Sequence, residues 1–459
     1  MAHRGDSITA SSSRIPRRTV AGYATGSLGT GGFGTLPGLV LVYYLTDNLG
    51  VTAIVAGLIV SLAKLWDVVI DPVIGSLSDR ALARSGSRRG FMLLGALTLP
   101  AFFILTFAVP VDVGPTTAAV WVLVAFTLTA TSFSLFQVPY IALPAELTDR
   151  YDERTRLLTW RVVVLTLAIL LFGAGGPLLR ALGDTPAQGY LLMAVVAGLV
   201  IAAGLTPAAA TAPRHETTQP PERVRVSEHY RRAVQALRES QPFRALLGTF
   251  VLQGLATGTM LAGAQYVATH VLRSEDAVTL LFLALIAPAL LFAPVWGAVA
   301  RRIGKERGYI TASVLYAIAA LAITGLIWQP GAWVYAPVAL AGIAYAGMQA
   351  LPLAMLPDVI AHDASARGRD RAGVFSGVWT AGETAGMALG ATVLTLVLAA
   401  TGYIESVGGQ TVTQPDSAVA GIVIAFSLVP AALLIASILL LRRYRLRRAD
   451  IEALAGVPA

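Results

Sequence analysis

Asp67 and Asp71 stand four residues apart in the stretch 64–89, KLWDVVIDPVIGSLSDRALARSGSRR. On a helix this spacing puts both carboxylates on one face, about 6 Å apart, and Lys64, three residues before Asp67, lies near the same face. Such a pair can give oxygens to Na⁺, a hard cation. It can also share one proton, because like charges at this distance resist ionising together. Pro72 follows at once and removes a helical hydrogen bond, which can free a carbonyl beside the pair. The plainer alternative is a structural Lys64–carboxylate pair, but one lysine cannot neutralise two acids. Each charge inside a membrane helix costs about 2.5–3.5 kcal/mol on insertion scales, so the group calls for a function.

Three further places carry chemistry. Asp79 and Arg80, followed by Arg84, Arg88 and Arg89, form a charged turn that can lock to a neighbouring helix end in one state and release in another, or simply set topology. The stretch 137–157, QVPYIALPAELTDRYDERTRL, has two prolines and acids (Glu146, Asp149, Asp152, Glu153) able to pair with its arginines. Just beyond it Arg161 is either an anchor for a polar substrate group or a side chain snorkelling to the interface. Glu383 stands in GVWTAGETAGMALG with no positive charge nearby, so it needs a partner across the bundle or a proton, which makes it a second coupling candidate. Gly382, Gly386 and Gly390 around it mark a close helix contact.

The elements that must hold these residues are membrane helices. The 459 residues are 56% hydrophobic and 13% charged, with mean hydropathy +0.69, where a soluble domain carries about 25% charge. A span needs about 20 apolar residues. Twelve segments qualify: 21–45, 52–79, 91–110, 118–146, 158–180, 187–207, 244–272, 277–300, 309–328, 332–357, 373–402 and 419–441. Of the 34 basic residues, 30 fall in the two tails and alternate loops, from Arg4, Arg14, Arg17 and Arg18 to Arg442, Arg443, Arg445, Arg447 and Arg448. The opposite loops hold Arg180 and Arg273. By the positive-inside rule both termini are cytoplasmic, and the protein is a multi-pass plasma (inner) membrane protein.

The organisation expected is a cytoplasmic tail (1–20), a six-helix bundle (21–207), a cytoplasmic linker (208–243), a second six-helix bundle (244–441) and a cytoplasmic tail (442–459). The linker's SEHYRRAVQALRES is amphipathic, either a membrane-surface helix or a solvated connector. GSLSDR (75–80) after the second segment is echoed by GAVARR (297–302) after the eighth. Matching halves suggest a transporter built from repeats, with its substrate at the midplane.

Other functions are excluded. Without cysteine there are no disulfides, thiolate metal sites or cysteine nucleophiles, and the five histidines (His3, His215, His229, His270, His362) have no ligand-like spacing. The polar N-terminus is not a cleavable signal. Gly29, Gly31 and Gly34 spell GxGxxG, but inside an apolar helix, where they serve packing and not a dinucleotide. No P-loop is present, which argues against an ATP-driven pump. The net charge of +8 is explained by the loops and requires no nucleic acid.

WDVVIDPVIGSLSDR, VPYIALPAELTDRYDERTRL and MLPDVIAHDASARGRDRAGVFSGVW resemble the signatures of the glycoside–pentoside–hexuronide:cation symporters. This is the branch of the major facilitator superfamily that includes the melibiose carriers; the wider group includes the sodium-dependent lysophosphatidylcholine carriers of animals. The resemblance implies that Asp67 and Asp71 bind the coupling Na⁺, Li⁺ or H⁺, assisted by Ser134 where the family has a threonine. It keeps a positive residue at Lys64 and places the family's sugar-linked arginine on Arg161. It also shows departures: Ile70 replaces an asparagine, the sugar-gripping acids fall on Gly31 and Gln137, a tryptophan falls on Ile141 and a lysine on Thr384.

The expected molecule is an all-α membrane protein of twelve transmembrane helices in two pseudo-symmetric six-helix halves, the major facilitator fold. It is a transporter, not an enzyme, with no cofactor beyond a coupling Na⁺ or H⁺, and it functions as a monomer in the lipid bilayer. Asp67, Asp71 and Ser134 would bind the cation. Gln137, Arg161 and Gln349 would contact substrate between aromatic walls of Tyr43, Tyr140 and Trp379. Lys64, Asp79, Arg80 and Glu383 would couple or gate. The cargo is a glycoside or related small solute; the alternatives are an amphiphile such as a lysolipid, or proton-driven export through Glu383.

Overall fold

The computed structural model describes residues 14–110, 112–148, 150–214, 226–274, 276–367, 371–408, 410 and 412–446. Arg4, His3, Asp149, His215, Arg223, Arg225, Arg369, Arg447 and Arg448 lie outside the described residues, as do the side chains of Asp152, His229 and Arg232.

Twelve helices among the described residues are long and apolar enough to cross a membrane. The first six spans are α1 (Arg17–Tyr43), α2 (Ala53–Ser85), α3 (Arg89–Phe107), α4 (Pro115–Leu147), α5 (Tyr151–Arg180) and α6 (Pro186–Ala210). The amphipathic α7 (Val226–Glu239) precedes α8 (Gln241–Tyr266), α9 (Ala277–Ile303), α10 (Lys305–Ile323), α11 (Tyr335–Arg367) and α12 (Ala372–Ala400). The last span comprises α13 (Asp416–Phe426) and α14 (Leu428–Leu441), interrupted at Ser427, whose hydroxyl donates back to the Val423 carbonyl at 2.6 Å.

Local chemistry sets the boundaries. Pro115 and Pro186 occupy first-turn positions, where a missing N–H is harmless, and the Thr185 hydroxyl accepts from the Gln188 N–H at the start of α6. α2 stops at Gly86, whose φ of +69° is left-handed and whose N–H bonds to Leu82 at 2.8 Å. The second and tenth segments were expected to end at 79 and 357, yet α2 and α11 run on to Ser85 and Arg367. These polar turns extend past the apolar stretch because ion pairs, described below, hold them.

α1 packs on α5 and α6, α3 on α4 and α6, and α2 on α4. In the other half α8 packs on α12 and α14, and α11 on α9 and α10. Small residues permit the closest approaches. A Cβ on Gly390 would lie 2.5 Å from the Gly258 backbone, and one on Gly386 2.8 Å from the Val251 carbonyl, so the glycine ladder around Glu383 is where α12 meets α8. Two glycines of the GxGxxG also pack: Gly29 on Leu205 and Gly31 on Ala168.

The halves meet through α2–α12, α1–α8 and α5–α9. α1 and α8 each finish in a five-residue π-helical turn, Tyr44–Asn48 and Val267–Val271. The cross-half hydrogen bonds described here gather at that end, away from the basic loops. Ser61 bonds to Thr392 at 2.5 Å and to the Ala388 carbonyl at 3.0 Å. Glu405 accepts from the Ala53 N–H at 2.8 Å. Ser406 and Gly408 donate backbone N–H groups to Thr46 and Asn48, each at 3.0 Å.

Candidate cation and substrate site

α2 carries Lys64, Asp67 and Asp71 on the face turned toward α4, which brings Ser134 against both carboxyls. Asp67 is 6% exposed and Ser134 2%. Oδ1 of Asp67 and Oδ1 of Asp71 are both buried without a hydrogen-bond partner. Lys64 does not neutralise the pair: its Nζ stands 3.7 Å from Asp67 Oδ2 and 3.9 Å from the centroid of the Phe33 ring, so its charge is divided between a carboxylate and an aromatic face. Two buried carboxylate oxygens without hydrogen-bond donors and one hydroxyl form an oxygen set suited to a hard cation or a proton, beside an ammonium that offsets only part of their charge.

The expected substrate residues separate into three groups. Gln137 accepts from Thr30 at 2.8 Å, one helix away from the acids, and Gly34 on α1 faces open space. Arg161 lies with its guanidinium carbon 5.2 Å from the Tyr140 ring centroid. Tyr140 is fully buried, donates to the Tyr23 carbonyl at 2.9 Å and packs on the Tyr23 ring, so it supports Arg161 from below. In the other half Gln349 donates to Tyr345 at 2.7 Å, and both line a narrow pocket with Glu383, Gln253 and Thr257. Among the described residues Glu383 makes no ion pair or hydrogen bond. Trp379 stacks on Phe250 at 4.4 Å and is 3% exposed.

Tyr43 lies elsewhere, in the end seal. Its ring meets Tyr266 edge-on at 5.1 Å. Asp47, His270 and Tyr403, which the sequence reading did not single out, complete that seal: Tyr403 donates to Asp47 at 2.6 Å, lies 2.9 Å from His270 Nε2, and Asp47 and His270 approach to 3.4 Å. A signal for it exists in the repeat. YYLTDN (43–48) aligns with YVATHV (266–271), pairing Tyr43 with Tyr266, Thr46 with Thr269 and Asp47 with His270.

At the opposite end the charged turns pair within their own halves. Arg88 bonds Asp79 and Glu146, each at 2.5 Å, and donates to Ser78 at 2.9 Å. The hub is therefore Arg88; Arg80 is exposed. Lys305 repeats the arrangement, reaching Asp358 at 2.6 Å. Arg371 holds Asp363 at 2.7 Å and Glu239 of α7 at 2.8 Å.

The chain is similar to the putative glycoside/cation symporter YagG of Escherichia coli, 24% identical over 95% of this chain and 93% of that one. It is 23% identical to the glucuronide carrier protein homolog of Escherichia coli over 94% and 92%, and 25% identical to the uncharacterized symporter sll1374 of Synechocystis over 96% of both. Among solved structures the fold matches a D-xylose–proton symporter with TM-score 0.64 at 11% identity, over 92% of this chain and 96% of that one. A proton-dependent oligopeptide transporter structure matches with TM-score 0.65 at 15% identity, over 95% and 99%. The sequence matches a family described as MFS/sugar transport protein from residue 22 to residue 448. With twelve membrane spans, paired halves and a match over nearly its whole length, the chain belongs to the MFS/sugar transport protein family of membrane transporters.

Proposed function

We propose that this transporter couples movement of a glycoside or related small solute to Na⁺ or H⁺, with Asp67, Asp71 and Ser134 holding the cation. The observation that carries this reading is the pair of buried carboxylate oxygens without donors on one face of α2, beside a lysine that neutralises at most one of them. Such oxygens are stable in a membrane interior only when something positive visits them. A cation bound there would sit where α2 meets α4, between the charged turn and the seal.

The glycoside cargo draws support from the relatives named as glycoside or glucuronide carriers. Gln137 and Arg161 on one side, with Gln349 and Glu383 on the other, supply polar groups from both halves. In this proposal the basic loops face the cytoplasm, so the Tyr43–Tyr266 seal closes the outer side. Alternating access would break that seal while the inner ends come together. Coupled uptake in proteoliposomes tests the cation assignment: Asp67→Asn and Asp71→Asn should each abolish the response of uptake to a Na⁺ or H⁺ gradient. Full coupled uptake by both variants would refute it.

A further inference from the structure

Beyond the seal, on the side away from Asp67 and Asp71, lies a second cavity of about 450 Å³. It is lined from both halves, by Tyr43 and Asp47 of the first helix, Arg180 and Asp184 at the α5–α6 turn, Tyr190 of α6 and His270 of the second half. We propose that it is a second solute site, taking a small hydroxyl-rich molecule of the glycoside class. This identification of the ligand rests on the proposed glycoside cargo.

The chemistry of the walls argues for that class. Asp184 brings a carboxylate and Arg180 a guanidinium that also donates to the buried Tyr190 hydroxyl at 3.2 Å, while the half-buried Tyr43 and His270 bring a phenol ring and an imidazole paired with Asp47. A sugar combines these requirements in one molecule, with hydroxyls that donate and accept and C–H faces that lie on aromatic rings. A simple anion would meet Asp47 and Asp184; a simple cation would meet Arg180. The floor has a polar weak point, since Oδ1 of Asn48 is buried against Gly408 without a partner.

The cavity also has a defined relation to the transport cycle. Asp47 and His270 line it while pairing across the halves, so opening the seal takes its walls apart. An occupant binds only the sealed conformer and stabilises it by mass action. The site is thus a waiting position that fills while the central path is closed to this side.

The chain contains no cysteine, which makes the test direct. A single cysteine is introduced at Gln410, an exposed residue at the cavity's edge (Gln410→Cys), and maleimide labelling of the purified full chain in nanodiscs is timed with methyl β-D-glucoside, methyl β-D-xyloside or methyl β-D-glucuronide. At least one probe should slow labelling about tenfold at about ten times its Kd. Ala181→Trp, which fills the cavity from an exposed rim position without removing a bond, should abolish protection; Ala181→Ser should retain it. Protection that persists in Ala181→Trp, or that no probe gives, overturns the proposal. Protection that vanishes in Asp67→Asn while uptake coupling vanishes too assigns the effect to the central site and also overturns it. Protection that survives in Asp67→Asn supports it, and the cation reading is then judged on uptake alone.

Discussion

Thr46 of the first half bonds the hydroxyl of Tyr266 in the second at 2.6 Å, and Thr269 lies against the hydroxyl of Tyr43 in the mirrored position. The repeat has placed the same tyrosine–threonine pair on both sides of the interface, with Asp47 and His270 meeting between them under Tyr403. Losing a hydrogen bond to a charged group shifts an equilibrium by about 1.5–3 kcal/mol, roughly 10–100-fold. Asp47→Asn should therefore open the seal by that factor, read as faster maleimide labelling of Leu261→Cys beneath it. The exchange Asp47→His with His270→Asp should recover much of the closure, because the two positions are related by the pseudo-twofold axis. Labelling of the exchange variant as fast as the single variant would argue that Tyr403 alone orders the contact.

The charged turns of the two halves look alike but should not weigh alike. Arg88 and Glu146 each have side chains 12% exposed, whereas Lys305 is 41% exposed. Breaking a largely buried pair leaves an uncompensated charge and costs about 3–5 kcal/mol; a solvated one is worth about 1 kcal/mol or less. Thermal unfolding of the purified protein should thus fall much further for Arg88→Gln or Glu146→Gln than for Lys305→Gln. Asp79, whose side chain is 62% exposed, should tolerate Asp79→Asn with a small shift.

Gly31 is where the resembled family grips sugar with a carboxylate. Here a Cβ at that position would stand 2.6 Å from Ala168 Cβ and 3.2 Å from the backbone of Ile169. The acid has been replaced by a close approach of α1 to α5. Gly31→Asp should then reduce folded yield and melting temperature, on the order of 1–3 kcal/mol for an overpacked contact, without conferring melibiose uptake. Gly34→Ala is the control, since nothing lies within 4 Å of its Cβ direction, and it should leave stability unchanged.

Much of this molecule is legible in its sequence, for a physical reason. Lipid forces each span to declare itself as an apolar run. The twelve segments overlap the twelve helices throughout. Asp67 and Asp71 are equally legible, because acids inside such a run stand out. Asp47 and His270 are not: they lie at helix ends, where a polar residue is unremarkable, and their meaning comes from a partner more than two hundred residues away. Tyr43 illustrates the same limit. An aromatic residue near a span's end reads as a substrate wall, and its packing against the other half is visible only once Tyr266 is placed beside it.

Glu239 ties the linker helix α7 to Arg367 at the end of α11 and to Arg371 just before α12. A hydrogen bond from Gln235, with the Arg371 and Arg367 guanidiniums, holds its carboxyl below the ordinary glutamate value. A carboxylate with a depressed folded value contributes its contact above the unfolded value and loses it only as pH falls through the folded one. Docking of α7 should therefore persist through mildly acidic pH and fail at lower pH than an unpaired glutamate would set. Glu239→Gln removes the charge that Arg371 and Arg367 hold, and should free α7 at neutral pH. Limited proteolysis between residues 226 and 240 reads this out: the variant should be cut faster at neutral pH, while the parent stays protected until its carboxyl protonates. Equal cutting of the two at neutral pH would show that the packing of α7 on α12 and α8 holds the linker without the ion pair.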